Sequence, residues 1–257
     1  MIRLTSDHTD SVTIPRLGGA VPHAVLRHIG DARVTPVWEN ADGGLTYRLD
    51  GPHGGRHVKW GPPDYRDLFE REARRLEWAS EWIRVPRVLE LDVSEPADGV
   101  VLVTETIEAL SAVDPSWIAR PEIAVRACGA GLRRLHDSLP AGDCPFDWSV
   151  ASRIDEAIGR GVRVPDDVLD PPPIDRLVVC HGDPCVPNTL LDADGAPVAH
   201  VDLGMLGLAD RWADIAVGSM SIEWNYGPGV EHLFFEGYGI TPDHALVDYY
   251  RRLWNST

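Results

Sequence analysis

Lysine is almost absent from this sequence. Of the 24 basic residues in the 257-residue chain, 23 are arginine and one, Lys59, is lysine. Positive charge as a whole is also scarce. Forty acidic residues outnumber the basic ones, and the formal net charge is −16. Such a balance argues against nucleic acid and anionic membranes as partners and favours a cationic small molecule. Cysteine is sparse: Cys128, Cys144, Cys180 and Cys185 show no C-x-x-C spacing. That argues against a zinc knuckle, and reduced thiols are expected. The N-terminus has no basic segment followed by an apolar run, and no apolar stretch approaches membrane-spanning length. The expected location is therefore the cytoplasm. Internal repeats and a low-complexity tail are missing too. What remains is ordinary for a globular chain, 44% hydrophobic and 25% charged, and long enough for one large domain or two small lobes.

The chain is organised around Val178-Val179-Cys180-His181-Gly182-Asp183-Pro184-Cys185-Val186-Pro187-Asn188, followed by Val201-Asp202-Leu203-Gly204. Val178 to Cys180 reads as a strand and Asn188 to Leu191 as another. Asp192-Ala193-Asp194-Gly195 is a turn, and Pro197 to Val201 returns as a third strand. A return of this length is expected to bring Asn188 and Asp202 together beneath the Asp183 loop. This ordered set suits phosphoryl transfer. The first Asp would accept a proton from a hydroxyl, while Asn188 and Asp202 would hold magnesium between nucleotide phosphates. The alternative is a buried loop whose Asp and Asn merely cap turns. The solitary Lys59 fits the first reading, because lysine is a compact point charge suited to phosphate oxygens in a tight pocket.

Ahead of this stretch the pattern is mostly strands. His23 to Ile29 reads as a short helix, and Val34–Trp38, Leu45–Leu49 and Arg56–Trp60 read as strands. Turns at Asn40–Gly44 and around Gly51 and Gly54-Gly55 join them. Gly43 and Gly44 sit where a hairpin flap could cover phosphates with its backbone N–H groups. It is not a P-loop, since G-x-x-x-x-G-K-[S/T] is absent. Asp67 to Trp82 reads as an amphipathic helix with Phe69, Ala73 and Leu76 on one stripe. Two more strands, Arg87–Leu91 and Gly99–Thr104, lead to a crossing at Thr104-Glu105-Thr106-Ile107. Beyond it helices dominate: Pro121–Leu135, with Ile123, Ala127, Ala130 and Leu135 expected inward, then Ala151–Gly161, Asp210–Trp224, Val230–Tyr238 and His244–Trp254. The expected fold is α+β and two-lobed, with a β-rich N-terminal lobe over residues 1–105 and a mainly helical C-terminal lobe over 106–257.

These residues resemble the aminoglycoside phosphotransferase family, antibiotic kinases with a protein-kinase-like fold. The resemblance is most specific at Val178–Asn188 and at Val201-Asp202-Leu203-Gly204 through Asp210-Arg211-Trp212-Ala213-Asp214. Weaker matches are Arg71-Glu72-Ala73, Leu102-Val103-Thr104-Glu105 and Leu135-His136-Asp137. It implies that Asp183 is the catalytic base and that Asn188 and Asp202 are the magnesium ligands. It also implies that Lys59 and Glu72 form the ion pair that grips phosphate, and that Asp210 and Arg211 are a structural pair. Thr104 and Thr106, with Glu105 between them, would offer backbone groups to adenine.

The implied activity is ATP-dependent O-phosphorylation of an aminoglycoside-type antibiotic, with GTP as the alternative donor and Mg2+ as cofactor. Asp155, Glu156 and Glu223 are candidates for binding substrate ammonium groups, against the reading that each is a solvated surface charge. The protein is expected to be a monomer. Two other functions stay open at this point: a kinase for another small alcohol, and a nucleotide-binding regulator without catalysis. Protein kinase activity is disfavoured, since Leu203 to Ala209 leave no room for a peptide-holding activation segment.

Overall fold

The computed structural model describes residues 20–40, 42–52 and 54–257. Residues 1–19 of the expected N-terminal lobe, Ala41 of the Asn40–Gly44 turn and His53 lie outside the described residues. The chain divides into two compact units. One runs to Glu81 and resumes over Val85–Glu108; the other comprises Trp82–Arg84 and Ala109–Thr257. The class is α+β, as the sequence pattern predicts.

The first unit contains α1 (His23–Leu26), β1 (Arg33–Glu39), β2 (Leu45–Gly51), β3 (Gly54–Gly61), α2 (Arg66–Ala79), β4 (Val88–Asp92) and β5 (Val100–Glu105). Its strands form one antiparallel sheet in the order β1-β2-β3-β5-β4. β5 is the most buried strand because both of its faces are covered. Val100 and Leu102 pack with Phe69 and Ala73 of α2. Val101 and Val103 point the other way, onto Ala24 and Val25 of α1 with Tyr47, Leu49 and Val58. Alternation with a period of two sorts the strand's residues between two small cores.

The second unit contains β6 (Leu110–Ser111), α3 (Pro115–Ile118), α4 (Pro121–Ser138), α5 (Val150–Gly159), β7 (Leu177–Cys180), β8 (Thr189–Leu191), β9 (Pro197–His200), β10 (Gly207–Asp210), α6 (Trp212–Tyr226), α7 (Glu231–Tyr238) and α8 (His244–Ser256). β6, β8 and β9 form one small sheet, and β7 pairs antiparallel with β10. The central helix is α6, buried on all sides from Trp212 to Ile222. No helix among the described residues is long and apolar enough to cross a membrane.

Two expectations are corrected here. Asp210 ends a strand rather than starting a helix: Gly207–Asp210 pairs with Leu177–Cys180, a partner about thirty residues upstream that local periodicity cannot reveal. The inward face of α4 is also rotated from the one expected. Ile123 is 44% exposed and Ala130 is exposed, while Ala124, Val125, Ala127, Cys128, Gly129, Gly131 and Leu132 are buried. Glycine sets this face. A Cβ on Gly129 would overlap the Phe234 carbonyl of α7 and stand 2.7 Å from the Tyr238 nitrogen. A Cβ on Gly237 of α7 would likewise overlap the Arg126 carbonyl. The two helices thus touch backbone to backbone, which only glycine permits. Gly129→Ala is therefore expected to destabilise the protein by about 1–3 kcal/mol through overpacking against backbone. Urea denaturation checks this, and an unchanged midpoint would refute the close crossing.

Candidate active site

The second unit carries the Asp183 loop. β7 delivers the chain to Cys180, and the next two amides are captured by one buried carboxylate. His181 N–H donates to Asp214 Oδ2 at 2.6 Å and Gly182 N–H to Asp214 Oδ1 at 3.0 Å. Asp214 lies in the first turn of α6 and is fully buried. Gly182 has φ +87, and a Cβ there would overlap the Met205 carbonyl, so the position requires glycine. Burial alone would raise the Asp214 pKa. The His136 hydrogen bond and charge and the loop amides outweigh burial and hold it below the ordinary carboxylate value. His136 Nε2 lies 2.9 Å from Asp214 Oδ2, and its Nδ1 lies 2.8 Å from the Tyr238 hydroxyl.

The loop is also held at its far end. Val186 N–H donates to Ser221 Oγ of α6 at 3.0 Å, and Ser111 Oγ donates to the Pro187 carbonyl at 2.8 Å. Asn188 Nδ2 donates to the Asp183 carbonyl at 3.0 Å. Val201 N–H donates to the Asn188 carbonyl at 3.0 Å, which ties the residue before Asp202 to the end of the loop. Asp202 itself has φ +62, a left-handed conformation that a non-glycine residue adopts only where its surroundings enforce it.

Asp183 is under-satisfied. Its Oδ1 is buried without a hydrogen-bond partner. Burial raises its pKa, and the negative charge of Asp202 raises it further. Two carboxylates that repel one another, with Asn188 committing its amide nitrogen and leaving its oxygen, make a set of hard oxygen donors. That set suits a magnesium ion, whose charge would relieve the repulsion.

The first unit carries the other group of expected residues. Lys59 on β3 pairs in register with Leu102 of β5, and paired residues point to the same face. Leu102 packs against α2, so Lys59 points there too, and its Nζ meets Glu72 Oε1 at 2.6 Å. Glu72 is 4% exposed, the buried acid of α2. The expected ion pair is present.

Other expected positions differ from their anticipated availability. Asn40 Oδ1 accepts from Asp42 N–H at 3.1 Å and from Gly44 N–H at 2.6 Å, and Gly43 N–H donates to the Asn40 carbonyl at 3.2 Å. The amides of Gly43 and Gly44 are thus taken up within their own turn. Glu105 N–H donates to the Arg87 carbonyl and Thr106 N–H to the Gly55 carbonyl, both at 2.9 Å. Neither amide is free for a base in this conformation, because the sheet edge uses them. Thr104 is paired from both sides, opposite His57 of β3 and Val88 of β4. The Glu105 side chain pairs with Arg87 at 2.9 Å. Asp155 and Glu156 lie on the exposed side of α5, whose buried side carries Arg153 and Ala157. Glu223 is exposed on α6, two residues beyond the loop-holding Ser221.

Asp210 and Arg211 act together without bonding to each other. Asp210 accepts the Asp175 and Trp212 amides at 2.5 and 2.9 Å, while Arg211 Nε donates to the Asp175 carboxylate at 2.7 Å. The four cysteines form no disulfide. Burial pushes the Cys128 thiol up to about 12 and raises Cys180 and Cys185 as well.

Residues 33–252 match the sequence profile of the phosphotransferase enzyme family. The chain belongs to that family. Its curated relatives include an aminoglycoside 3'-phosphotransferase of Streptomyces fradiae, 34% identical over 79% of this chain and 87% of the relative. The streptomycin 3''-kinase of Streptomyces griseus is 30% identical over 77% of this chain and 83% of its own length. Among solved structures, an aminoglycoside 3'-phosphotransferase of type VIII superposes with a TM-score of 0.76, at 28% identity over 91% of this chain and 97% of that one. A 3''-class enzyme of Streptomyces rimosus in complex with ADP and streptomycin gives 0.69, at 29% identity over 91% and 96%. The phosphotransferase resemblance read from the Asp183 and Asp202 segments is thus borne out, as is the fold class.

Sequence reading assigned no role to Asp214, His136, Ser221 or Asn40. Asp214 and His136 lie in segments that carry the resemblance, whereas a serine inside a helix and an asparagine before a turn have no distinguishing signal.

A folded-state pKa raised above the unfolded value means that Asp183 favours folding while protonated. That contribution is lost as pH rises through the raised pKa, so ionised Asp183 opposes folding at neutral pH. Asp183→Asn is expected to raise the Tm of the ligand-free protein near neutral pH. The gain should shrink as pH falls into the ordinary carboxylate range. Calorimetry across that window checks it, and an equal or lower Tm at neutral pH would refute the argument.

Proposed function

We propose that this protein is an ATP- and magnesium-dependent O-phosphotransferase acting on an aminoglycoside-type antibiotic. The observation that carries the reading is the Asp183 carboxylate, held on a tightly bonded loop with one buried oxygen unpartnered beside the Asp202 charge. The unpartnered oxygen has a lone pair to offer a hydroxyl. The aminoglycoside acceptor is supported by the names of the curated relatives, which share up to 34% identity, and by the net charge of −16, which suits a polycation.

In this reading Asp183 orients the acceptor hydroxyl and takes its proton as the oxygen bonds to the γ-phosphorus and ADP departs. The transition state is loose, so most of the work is positioning and charge neutralisation. Lys59, held by Glu72, contacts phosphate oxygens. Asn188 and Asp202 hold Mg2+, which when bound offsets charge on the phosphates. Glu223, on the helix that anchors the loop, is a candidate to bind substrate ammonium groups, with Asp155 and Glu156 further candidates. Thr104 to Thr106 flank the adenine, with the Thr106 amide already donating to the Gly55 carbonyl. The Gly43-Gly44 turn covers phosphate only after Asn40 releases its amides.

A coupled nucleotide-consumption assay with magnesium tests the proposal, using aminoglycosides with macrolides and amino alcohols as controls. Turnover dependent on an aminoglycoside is expected, and Asp183→Ala should lower it by roughly 10²–10⁴-fold while nucleotide still binds. Turnover only with a control alcohol would replace the acceptor class. Lys59→Arg is expected to raise the KM for ATP or lower kcat, because a planar guanidinium cannot replace a point charge opposite a buried Glu72. Wild-type kinetics in that variant would refute the role given to the solitary lysine.

A further inference from the structure

A second cluster of ligand-type side chains lies in the first unit, apart from Lys59 and Glu72. Glu90 and Asp92 are two apart on β4, and His28 stands against both, in the turn that follows α1. His28 Nδ1 is 3.3 Å from Glu90 Oε2, and His28 Nε2 is 3.3 Å from Asp92 Oδ2. The His28 side chain is only 7% exposed, and its buried Nε2 makes no hydrogen bond. One ligand atom from each of the three residues falls within 4.8 Å of the others. The cluster opens onto a surface depression of about 510 Å³ that also touches Arg27 and Ser94.

These separations are long for N–H···O hydrogen bonds, which cluster near 2.9–3.0 Å. The Nε2–Oδ2 separation, taken at the one ring nitrogen that could bind an ion beside Asp92, matches the edge of a tetrahedron built on metal bonds of about 2.1 Å, roughly 3.4 Å; the Glu90 carboxylate, now at the other ring nitrogen, has to turn toward that ion. Asp92 is also pre-oriented as a ligand would be. Its Oδ1 accepts from Ser94 N–H at 2.9 Å and Ser94 Oγ–H at 2.5 Å, which turns Oδ2 toward the imidazole. Glu90 is 54% exposed, so its carboxylate can swing to complete the set. The group facing the site with the wrong charge is Arg27, whose Nη2 is 2.9 Å from Asp92 Oδ2. Arg27 already has a second acceptor in Asp98, 3.3 Å from Nη1, to which a cation would displace it.

We infer that His28, Glu90 and Asp92 form a binding site for a divalent transition-metal ion of the zinc type, with water at the fourth position. One imidazole nitrogen and two carboxylates are a donor set that zinc takes readily and magnesium does not. The bound ion clamps the turn after α1 to β4 and so fastens the N-terminal segment to the edge strand of the sheet.

The test is a cobalt(II) titration of the full-length protein in excess magnesium, read by visible absorption, with zinc-dependent thermal shift alongside. One equivalent of cobalt is expected to give the absorption of a four-coordinate site, which zinc displaces, and zinc should raise the Tm. Glu90→Gln, at an exposed position, and His28→Gln should each weaken binding at least about tenfold. Arg27→Gln should strengthen it severalfold, an effect that a purely structural ion-pair cluster would not produce. Absence of the absorption, or its retention at unchanged affinity in both Glu90→Gln and His28→Gln, would overturn the assignment. None of these residues belongs to the phosphotransfer machinery, so loss of kinase activity is not expected in any variant.

Discussion

The Asp214 carboxylate is the contact on which the Asp183 loop depends. It is fully buried, yet it accepts from two consecutive loop amides and lies 2.9 Å from the His136 imidazole. Removing a carboxylate from water is costly, and only hydrogen bonds to its charged form make the arrangement tolerable. Each such bond contributes about 1.5–3 kcal/mol, so three of them offset much of that cost. The same helix grips the loop again through Ser221, seven residues and two turns later on the same face. α6 therefore holds the loop at both ends of the segment between His181 and Val186. α6 is buried on every side and so carries no polar stripe.

Against that support, the contrast between Asp214 and Asp183 is chemical. One carboxylate has both oxygens hydrogen-bonded and its pKa held down; the other is buried beside a like charge and its pKa is raised. Two acids thirty-one residues apart in sequence are given opposite roles by their surroundings. The first suits structure, and the second is the one we propose for proton transfer. The left-handed backbone at Asp202 adds to this, since the turn spends conformational strain to keep that second charge close.

In the sheet unit the deciding constraint is register. Lys59 points to α2 because it pairs with Leu102, and Val58 points to α1 because it pairs with Val103. A slip of one residue would turn the lysine away from Glu72 and push a valine into its place. The buried cores on the two faces of β5 resist such a slip, so the hydrophobic pattern positions the charge. The turn amides at Gly43 and Gly44 show the converse. A glycine pair signals a hairpin, but Asn40 takes up both amides, Gly44 through its side chain and Gly43 through its backbone carbonyl.

The sequence alone determined most of the element types, the α+β class and the family, and it singled out the residues proposed to carry phosphoryl transfer. Those follow from local periodicity, turn chemistry and the ordered spacing of His181, Asp183, Asn188 and Asp202, all within short reach along the chain. Lys59 was legible as well, because a single lysine among arginines is visible without a structure. Only the tertiary structure decided which way α4 faces, since Gly129 and Gly237 bring two helix backbones together across more than a hundred residues. It also decided that Gly207–Asp210 is a strand, that Asp214 and Ser221 hold the loop, and that the Thr106 amide is spent on Gly55. Each depends on a partner far away in sequence, and a hydrogen bond or close contact between distant segments leaves no periodic trace in either one.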